Sequence, residues 1–207
     1  METIEALQNG YRQFRSGSYR RDRALYEALG SGQSPKIMII ACADSRADPA
    51  SIFSAAPGQL FIVRNVANLA PPYETRGTYH GVSAAVEFAV TGLCVRHIVV
   101  MAHGGCGGIK ASLTAAESGP VGSFIGPWVS ILDQARDAVL AEGHADPQRA
   151  LEHRGVGVSL GNLMTFPFVA EAVAAGRLSL HGAWFAIATG ELFWRNPATG
   201  VFEEVAT

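Results

Sequence analysis

The chain has 207 residues, 48% of them hydrophobic and 16% charged, which excludes a disordered chain and predicts one globular domain over residues 1–207. The formal net charge of -2 and the pI near 6.3 leave no positive excess for phosphates or an acidic membrane surface, so we expect no nucleic acid and no membrane as partners. Residues 1–29 lack the apolar stretch of a secretion signal, and no later apolar run reaches ~18 residues, so we expect a soluble, cytoplasmic protein.

The hydrophobic pattern alternates helices with short buried strands. An N-terminal helical arm comes first, over residues 1 to about 30, and Asp48-Pro49 is typical of an N-cap followed by a first-turn proline, opening a short helix that ends near Pro57-Gly58. The other predicted strands and helices are strands within 36–41, 60–63, 97–102 and 178–189, and helices over 77–93, 109–117, 128–142, 148–165 and 168–175. Since parallel strands need crossovers, this order predicts an α/β fold with a mostly parallel central sheet flanked by helices.

Two cysteine motifs directly follow predicted strands. Cys42 comes after the first strand, and His103 and Cys106 come after the third. Ligands gather at the carboxyl ends of strands in open α/β sheets, and two thiolates with one imidazole suit zinc. Three protein ligands leave a fourth position for a water molecule, which is typical of catalytic zinc.

Asp44 and Arg46 lie two and four residues after Cys42 in a polar turn, where they can form a bidentate ion pair. We expect Asp44 to stay ionised and to accept a hydrogen bond from a zinc-bound hydroxide. Two thiolates cancel the formal charge of zinc, so bound water is acidified less than in an all-histidine site. We therefore expect any activity that depends on this hydroxide to rise with pH, with Arg46 supporting the hydroxide.

Simpler interpretations compete for some of these residues. A lone cysteine after a buried strand is usually a small core residue, which is the competing interpretation of Cys42 taken in isolation. Cys94 has no charged or metal-binding partner nearby in sequence, so we favour a core position for it. The glycines around Cys106 could form a phosphate-binding nest, but neither the dinucleotide spacing nor the P-loop lysine is present. We expect them to let the backbone curl around the metal and to offer an amide to the substrate; they are Gly104, Gly105, Gly107 and Gly108.

Together the motifs Cys-x-Asp-Ser-Arg at 42–46 and His-x-x-Cys-Gly at 103–107 resemble those of the beta class of carbonic anhydrases, in its plant-like branch. The likeness extends from about Gln33 to Glu191 and includes the segments 61–68, 84–90 and 158–163. It implies one Zn²⁺ per subunit on Cys42, His103 and Cys106, with Asp44 and Arg46 as an activating dyad. The implied reaction is the reversible hydration of carbon dioxide to bicarbonate and a proton.

The resemblance also implies a carbon dioxide pocket and an oligomer. The implied pocket residues are Gln33, Phe61, Val66, Phe88 and Gly107, with Phe88 at a position where the family has a tyrosine. In the plant-like branch the glutamine typically reaches the site from the partner subunit. A homodimer is thus the implied minimal unit, with tetramers or octamers as larger assemblies.

Two other functions remain open at this point. The same zinc hydroxide could hydrolyse carbonyl sulfide or carbon disulfide, and the sequence separates these substrates poorly. Alternatively, the chain could be a zinc-bound regulatory module in which Asp44 becomes a fourth ligand and blocks water. The position of Asp44, on the metal or on Arg46, distinguishes the closed state from the open one.

Overall fold

A six-stranded sheet forms the centre of the computed structural model, which describes residues 2–77, 79–119 and 121–206. The strands are β1 (Ile37–Cys42), β2 (Leu60–Asn65), β3 (His97–His103), β4 (Ser179–Phe185), β5 (Leu192–Arg195) and β6 (Phe202–Glu204). Their order is β2-β1-β3-β4-β5-β6, with parallel pairing from β2 to β4 and antiparallel pairing beyond β4. The predicted mostly parallel α/β sheet is confirmed, and the two short antiparallel strands at its edge were not predicted.

Ten α-helices surround this sheet in the described part of the chain. They are α1 (Ile4–Ser16), α2 (Ser18–Arg21), α3 (Arg23–Leu29), α4 (Pro49–Ile52), α5 (Gly81–Glu87), α6 (Gly107–Ser118), α7 (Ile125–Val129), α8 (Asp133–Glu142), α9 (Pro147–Leu163) and α10 (Pro167–Ala174). Asp48 caps α4 as predicted, since its carboxylate accepts a hydrogen bond from the Ser51 N–H. α9 begins in the same way: Asp146 precedes Pro147, and its carboxylate accepts a hydrogen bond from the main-chain N–H of Arg149.

Three predicted helices have different bounds in the structure. The helix predicted over 77–93 begins at Gly81, because Gly77 has a left-handed φ of +93° and His80 has a non-helical backbone with φ -123° and ψ 63°; Thr78 lies outside the described residues. Its last turn, Phe88–Gly92, is π-helical. The helix predicted over 128–142 is interrupted by a 3₁₀ turn at Ser130–Leu132, and α4 ends five residues before Pro57.

Cys94 is exposed, so the prediction that it fills the core is wrong. It lies between the π-helical turn and β3 with a φ of +53°, a left-handed conformation that few non-glycine residues adopt. The short connection into β3 turns this side chain outward, whereas the next residue, Val95, is buried.

Both faces of the central strands are buried, which explains their continuous apolar runs. One face packs Met38, Ile40 and Ile98 against apolar residues of α5, α9 and α10. The opposite face packs Ile39 and Val99 with other apolar residues of β1 to β5 and of the segment around α4. In the described residues no single helix is long and apolar enough to cross a membrane; α9 and α10 reach that length and hydropathy only together, across a bend of 92°.

Candidate metal centre

The carboxyl ends of β1 and β3 lie side by side in the middle of the sheet. Cys42 is the last residue of β1 and His103 the last residue of β3, and the two strands pair in parallel, with Ala41 opposite Met101. After His103 the chain turns at Gly105, whose φ of +66° is left-handed, and returns Cys106 to the same place. Cys106 is also the N-cap residue of α6.

The three side chains converge on one buried point. Their ligand atoms all lie within 4.8 Å of one another, and the two Sγ atoms are 3.8 Å apart. A tetrahedral ion with Zn–S bonds of about 2.3 Å places two thiolates about 3.8 Å apart, so the sulfur spacing is that of a tetrahedral zinc site. Among the described residues this is the one group of three such side chains placed to hold a metal ion.

The imidazole of His103 is oriented for coordination. Its Nδ1 lies 3.0 Å from the carbonyl oxygen of Gly104, which makes Nδ1 the donor and leaves a lone pair on Nε2. Nε2 is buried, and the residues that the structure describes provide no hydrogen-bond partner for it. A buried nitrogen without a partner is costly, and a metal ion on Nε2 removes that cost.

The two thiols influence each other strongly. The hydrogen bond with Cys106 lowers the pKa of Cys42 below its usual range, and the same contact raises the pKa of Cys106. A divalent ion at this point would bind both sulfurs as thiolates, because coordination requires the deprotonated form.

Asp44 and Arg46 lie beside this group and bind each other. The guanidinium donates from Nε to Oδ1 at 2.9 Å and from Nη2 to Oδ2 at 2.7 Å, and the main-chain N–H of Arg46 also donates to Oδ1. These hydrogen bonds hold the pKa of Asp44 well below its usual range. Oδ2 is 3.8 Å from Nε2 of His103, so the carboxylate faces the metal-binding group while it remains on Arg46.

Arg64 and Glu152 support the site, and the sequence patterns did not single out either residue. Arg64, on β2, donates from its guanidinium to the main-chain carbonyls of Cys42 and Asp44. Glu152, on α9, accepts a hydrogen bond from the main-chain N–H of Cys106 at 3.0 Å. A sequence signal for Glu152 existed, because an acid at that position falls on the buried stripe of α9, with Val156, Ser159 and Leu163.

Two of the five residues implied for the substrate pocket lie beside the metal-binding group. Val66 packs against the cluster that contains Cys42 and Cys106. Gly107 follows Cys106 directly and has open space where a Cβ would be. The next residue, Gly108, is closely packed, because a Cβ there would lie 2.6 Å from Cγ1 of Val66.

The other three residues lie elsewhere in the same chain. Phe61 pairs with Met38, four positions before Cys42 along β1, which is about 13 Å at ~3.3 Å per residue. Its ring packs against that of Phe88, at 5.8 Å between centroids. Gln33 is exposed and precedes the opposite end of β1. One chain therefore does not bring Gln33, Phe61 or Phe88 to its own metal-binding group.

A family model described as carbonic anhydrase matches residues 37–192, a span that begins with β1 and ends with the first residue of β5. The chain belongs to the carbonic anhydrase family. Beta carbonic anhydrase 3 of Arabidopsis thaliana is 35% identical to it over 196 residues, which cover 92% of this chain and 76% of that protein. The predicted membership of the beta class is confirmed.

Solved structures of carbonic anhydrases share the fold. The beta-carbonic anhydrase CcaA is 31% identical, with a TM-score of 0.89 and coverage of 99% of this chain and 92% of that one. A Coccomyxa beta-carbonic anhydrase in complex with acetazolamide is 27% identical, with a TM-score of 0.76 and coverage of 93% and 86%. One of two Sordaria macrospora beta-carbonic anhydrases described as tetrameric is 25% identical, with a TM-score of 0.82 and coverage of 98% and 100%. The chain is thus a carbonic anhydrase whose cofactor is zinc.

Proposed function

We propose that this carbonic anhydrase hydrates carbon dioxide reversibly to bicarbonate and a proton, with Zn²⁺ held by Cys42, His103 and Cys106. The observation that carries the proposal is the pair of sulfurs at tetrahedral spacing beside the buried Nε2 of His103, which has no hydrogen-bond partner in the described part of the chain. Zinc in such a site, when bound, lowers the pKa of a water at its fourth position and so supplies a nucleophile. Everything else in the reaction falls to the chain's own residues.

Asp44 orients the nucleophile. An ionised carboxylate only accepts hydrogen bonds, so it accepts one from the nucleophilic oxygen and leaves the lone pair of that oxygen directed at the substrate carbon. Arg46 keeps that carboxylate ionised and fixes its plane through two parallel hydrogen bonds. Carbon dioxide is small and apolar, and Val66 and Gly107 leave an apolar, uncrowded surface next to the site.

The active unit in this proposal is a homodimer or a larger homo-oligomer. Gln33 and Phe88 are exposed, Phe88 at 50%, and the helices α1, α2 and α3 bury no residue within the chain. A second copy that covers these surfaces would bring Gln33, Phe61 and Phe88 to the neighbouring metal centre. Light scattering of the purified protein should report at least a dimer, and Gln33→Ala should lower the hydration rate without loss of zinc.

Two alternatives share the site. Carbonyl sulfide and carbon disulfide are also linear and apolar, so the same nucleophile can attack them. A closed regulatory module needs Asp44 on the metal, and the two hydrogen bonds from Arg46 favour the open state instead.

The deciding experiment is stopped-flow carbon dioxide hydration by zinc-loaded protein, run beside a carbonyl sulfide assay and a zinc determination. The proposal expects about one zinc per chain and faster turnover of carbon dioxide than of carbonyl sulfide. Zinc-loaded protein that turns over carbonyl sulfide alone would support the hydrolase, and zinc without either activity would support the regulatory module.

A further inference from the structure

Glu152 is a carboxylate buried beside the metal centre. Its side chain lies on α9 and the residue is 1% exposed. Oε1 accepts from the main-chain N–H of Cys106 at 3.0 Å and from Nε2 of Gln148 at 2.9 Å. Oε2 accepts from the indole Nε1 of Trp184 at 2.9 Å. Burying a carboxylate costs free energy unless hydrogen bonds compensate the lost hydration. An apolar residue would occupy the same space without that cost.

The three partners are all N–H donors. An ionised carboxylate accepts at both oxygens and matches all three, whereas the amide of a glutamine presents one acceptor and one NH₂ group. In one orientation the NH₂ group of the glutamine would face the N–H groups of Cys106 and Gln148. In the other orientation it would face the indole N–H of Trp184. The environment therefore specifies a carboxylate and not merely a polar side chain of the same length.

Gln148 and Glu152 together hold both main-chain groups of Cys106. They lie one helical turn apart on α9, and Nε2 of Gln148 also donates to the Cys106 carbonyl at 2.9 Å. The turn before Cys106 consists of Gly104 and Gly105, whose backbones have the greatest conformational freedom of any residue. The direction of the Cys106 thiolate thus depends on restraint from outside the turn, and α9 supplies it.

We propose that Glu152 is a positioning residue of the metal centre: its carboxylate fixes the backbone of Cys106 and so directs the thiolate toward the ion. The proposal rests on Cys106 as a zinc ligand, as given under the proposed function. Glu152 contacts the backbone of Cys106 and not the metal position. It therefore affects the coordination geometry directly and the reaction only through that geometry.

The test is Glu152→Gln, with Ser159→Ala as the matched control. Ser159 is fully buried on the same helix and hydrogen-bonds to the main chain of Asn68 and Ala70, away from Cys106. Zinc affinity is measured by competition with a chelator, and site geometry by the visible spectrum of the Co²⁺-loaded protein. Glu152→Gln should weaken zinc binding by roughly 10- to 100-fold and change the Co²⁺ spectrum, while Ser159→Ala should leave both as in the wild type.

A rescue variant separates positioning from general destabilisation. Trp184→Phe removes the indole donor, so in the double variant the glutamine can turn its NH₂ toward the phenyl ring and keep its oxygen on Cys106. The double variant should bind zinc more tightly than Glu152→Gln alone. Wild-type affinity in Glu152→Gln, equal loss in Ser159→Ala, or no rescue would overturn the proposal.

Gln148→Met provides a second route if Glu152→Gln does not fold. It removes the donor to the Cys106 carbonyl and to Glu152, and it replaces the glutamine with an apolar side chain of similar length. Weaker zinc binding by the folded variant supports the proposal, and unchanged binding contradicts it. Zinc affinity and the Co²⁺ spectrum do not depend on turnover, so a wild type that failed to hydrate carbon dioxide would overturn the proposed function and leave this test standing.

Discussion

The guanidinium of Arg46 binds the carboxylate of Asp44 edge to edge, with Nε on Oδ1 at 2.9 Å and Nη2 on Oδ2 at 2.7 Å. The pair is anchored to the ligand turn by a further contact of Nη2 with the Gly105 carbonyl at 3.3 Å. Asp44 is thereby held on Arg46 beside the metal-binding group. Under the proposed function this arrangement separates metal binding from activation of the nucleophile, and a mutation can test each part alone.

Asp44→Asn should keep zinc and lose much of the rate. The amide has the same shape, but its NH₂ group donates hydrogen bonds and only its oxygen accepts them, so it misorients the nucleophile. We expect the hydration rate to fall by roughly 10- to 100-fold with zinc content unchanged. Stopped-flow assays and metal analysis of the same sample measure both quantities; zinc loss in step with the rate would contradict the assigned role.

Cys106→Ser should lose zinc and activity together. A serine hydroxyl is a far poorer zinc ligand than a thiolate, and the two remaining side chains are too few to hold zinc tightly. Cys94→Ser is the matched control, because Cys94 is an exposed thiol outside the metal-binding group. That control should keep its zinc and its hydration rate, so equal loss in both variants would point to general damage from cysteine replacement.

The hydration rate should rise with pH. Two thiolates cancel the formal charge of zinc, so the nucleophile loses its proton at higher pH than in an all-histidine site. Asp44 does not limit the acidic side, since Arg46 keeps the pKa of this carboxyl well below its usual range. Values of kcat/KM from about pH 6 to about pH 9 should show the rise, and a flat profile would exclude this ionisation.

Gly108→Ala should destabilise the protein. A Cβ at this position would lie 2.6 Å from Cγ1 of Val66 and 2.9 Å from the Cβ of Ala67, in a segment packed against the ligands. We expect a loss of about 1–3 kcal/mol in the free energy of unfolding. Gly157→Ala, where nothing lies within 4 Å of the added Cβ, should instead gain up to about 1 kcal/mol from helix propensity. Thermal unfolding compares the two.

His153→Phe should weaken the pH dependence of stability. Burial lowers the pKa of His153 to about 4 from 6.5, and the ring stacks on Phe202 at 4.2 Å between centroids. Between these two values the unfolded chain holds a proton that the folded chain lacks, so stability falls as the pH is lowered from about 6.5 to about 4. This contribution is on the order of 2 kcal/mol for a partly exposed ring.

Denaturant unfolding at several pH values tests this expectation. The stability difference between the variant and the wild type should grow in favour of the phenylalanine as the pH falls. His144→Gln, at an exposed histidine, is the control. A constant difference across the range would show that His153 does not titrate as the structure indicates.

The strands and the metal-binding group were predictable because each depends on local sequence. Runs such as 37–41 are apolar at every position, as strands buried on both faces require, and the groups that follow parallel strands meet at one edge. The proximity of Cys42 and His103 could therefore be predicted from the sequence. The edge strands β5 and β6 have four and three residues, too few for a pattern to be recognised.

Other features depend on how elements pack, and a linear pattern does not contain that information. Glu152 meets Cys106 only because α9 lies across the ligand turn. Its place on the buried stripe of α9 can be recognised from the sequence, but its partner cannot. Cys94 sits in a tight connection whose left-handed backbone turns it outward, against its apolar surroundings in sequence. The separation of Phe61 from the ligands of its own chain follows from the register of β2 on β1.

Cys42 and Cys106 are 64 positions apart, and the ion that we propose for this site would act as a reversible crosslink between them. Because pairing of β1 with β3 brings the two cysteines together, the ion would have its full coordination only in a chain in which these strands are paired. A clip across so long a loop opposes separation of the two central strands. Metal depletion should therefore speed global unfolding as well as abolish turnover. The ion would thus slow the loss of folded enzyme in addition to its part in the reaction.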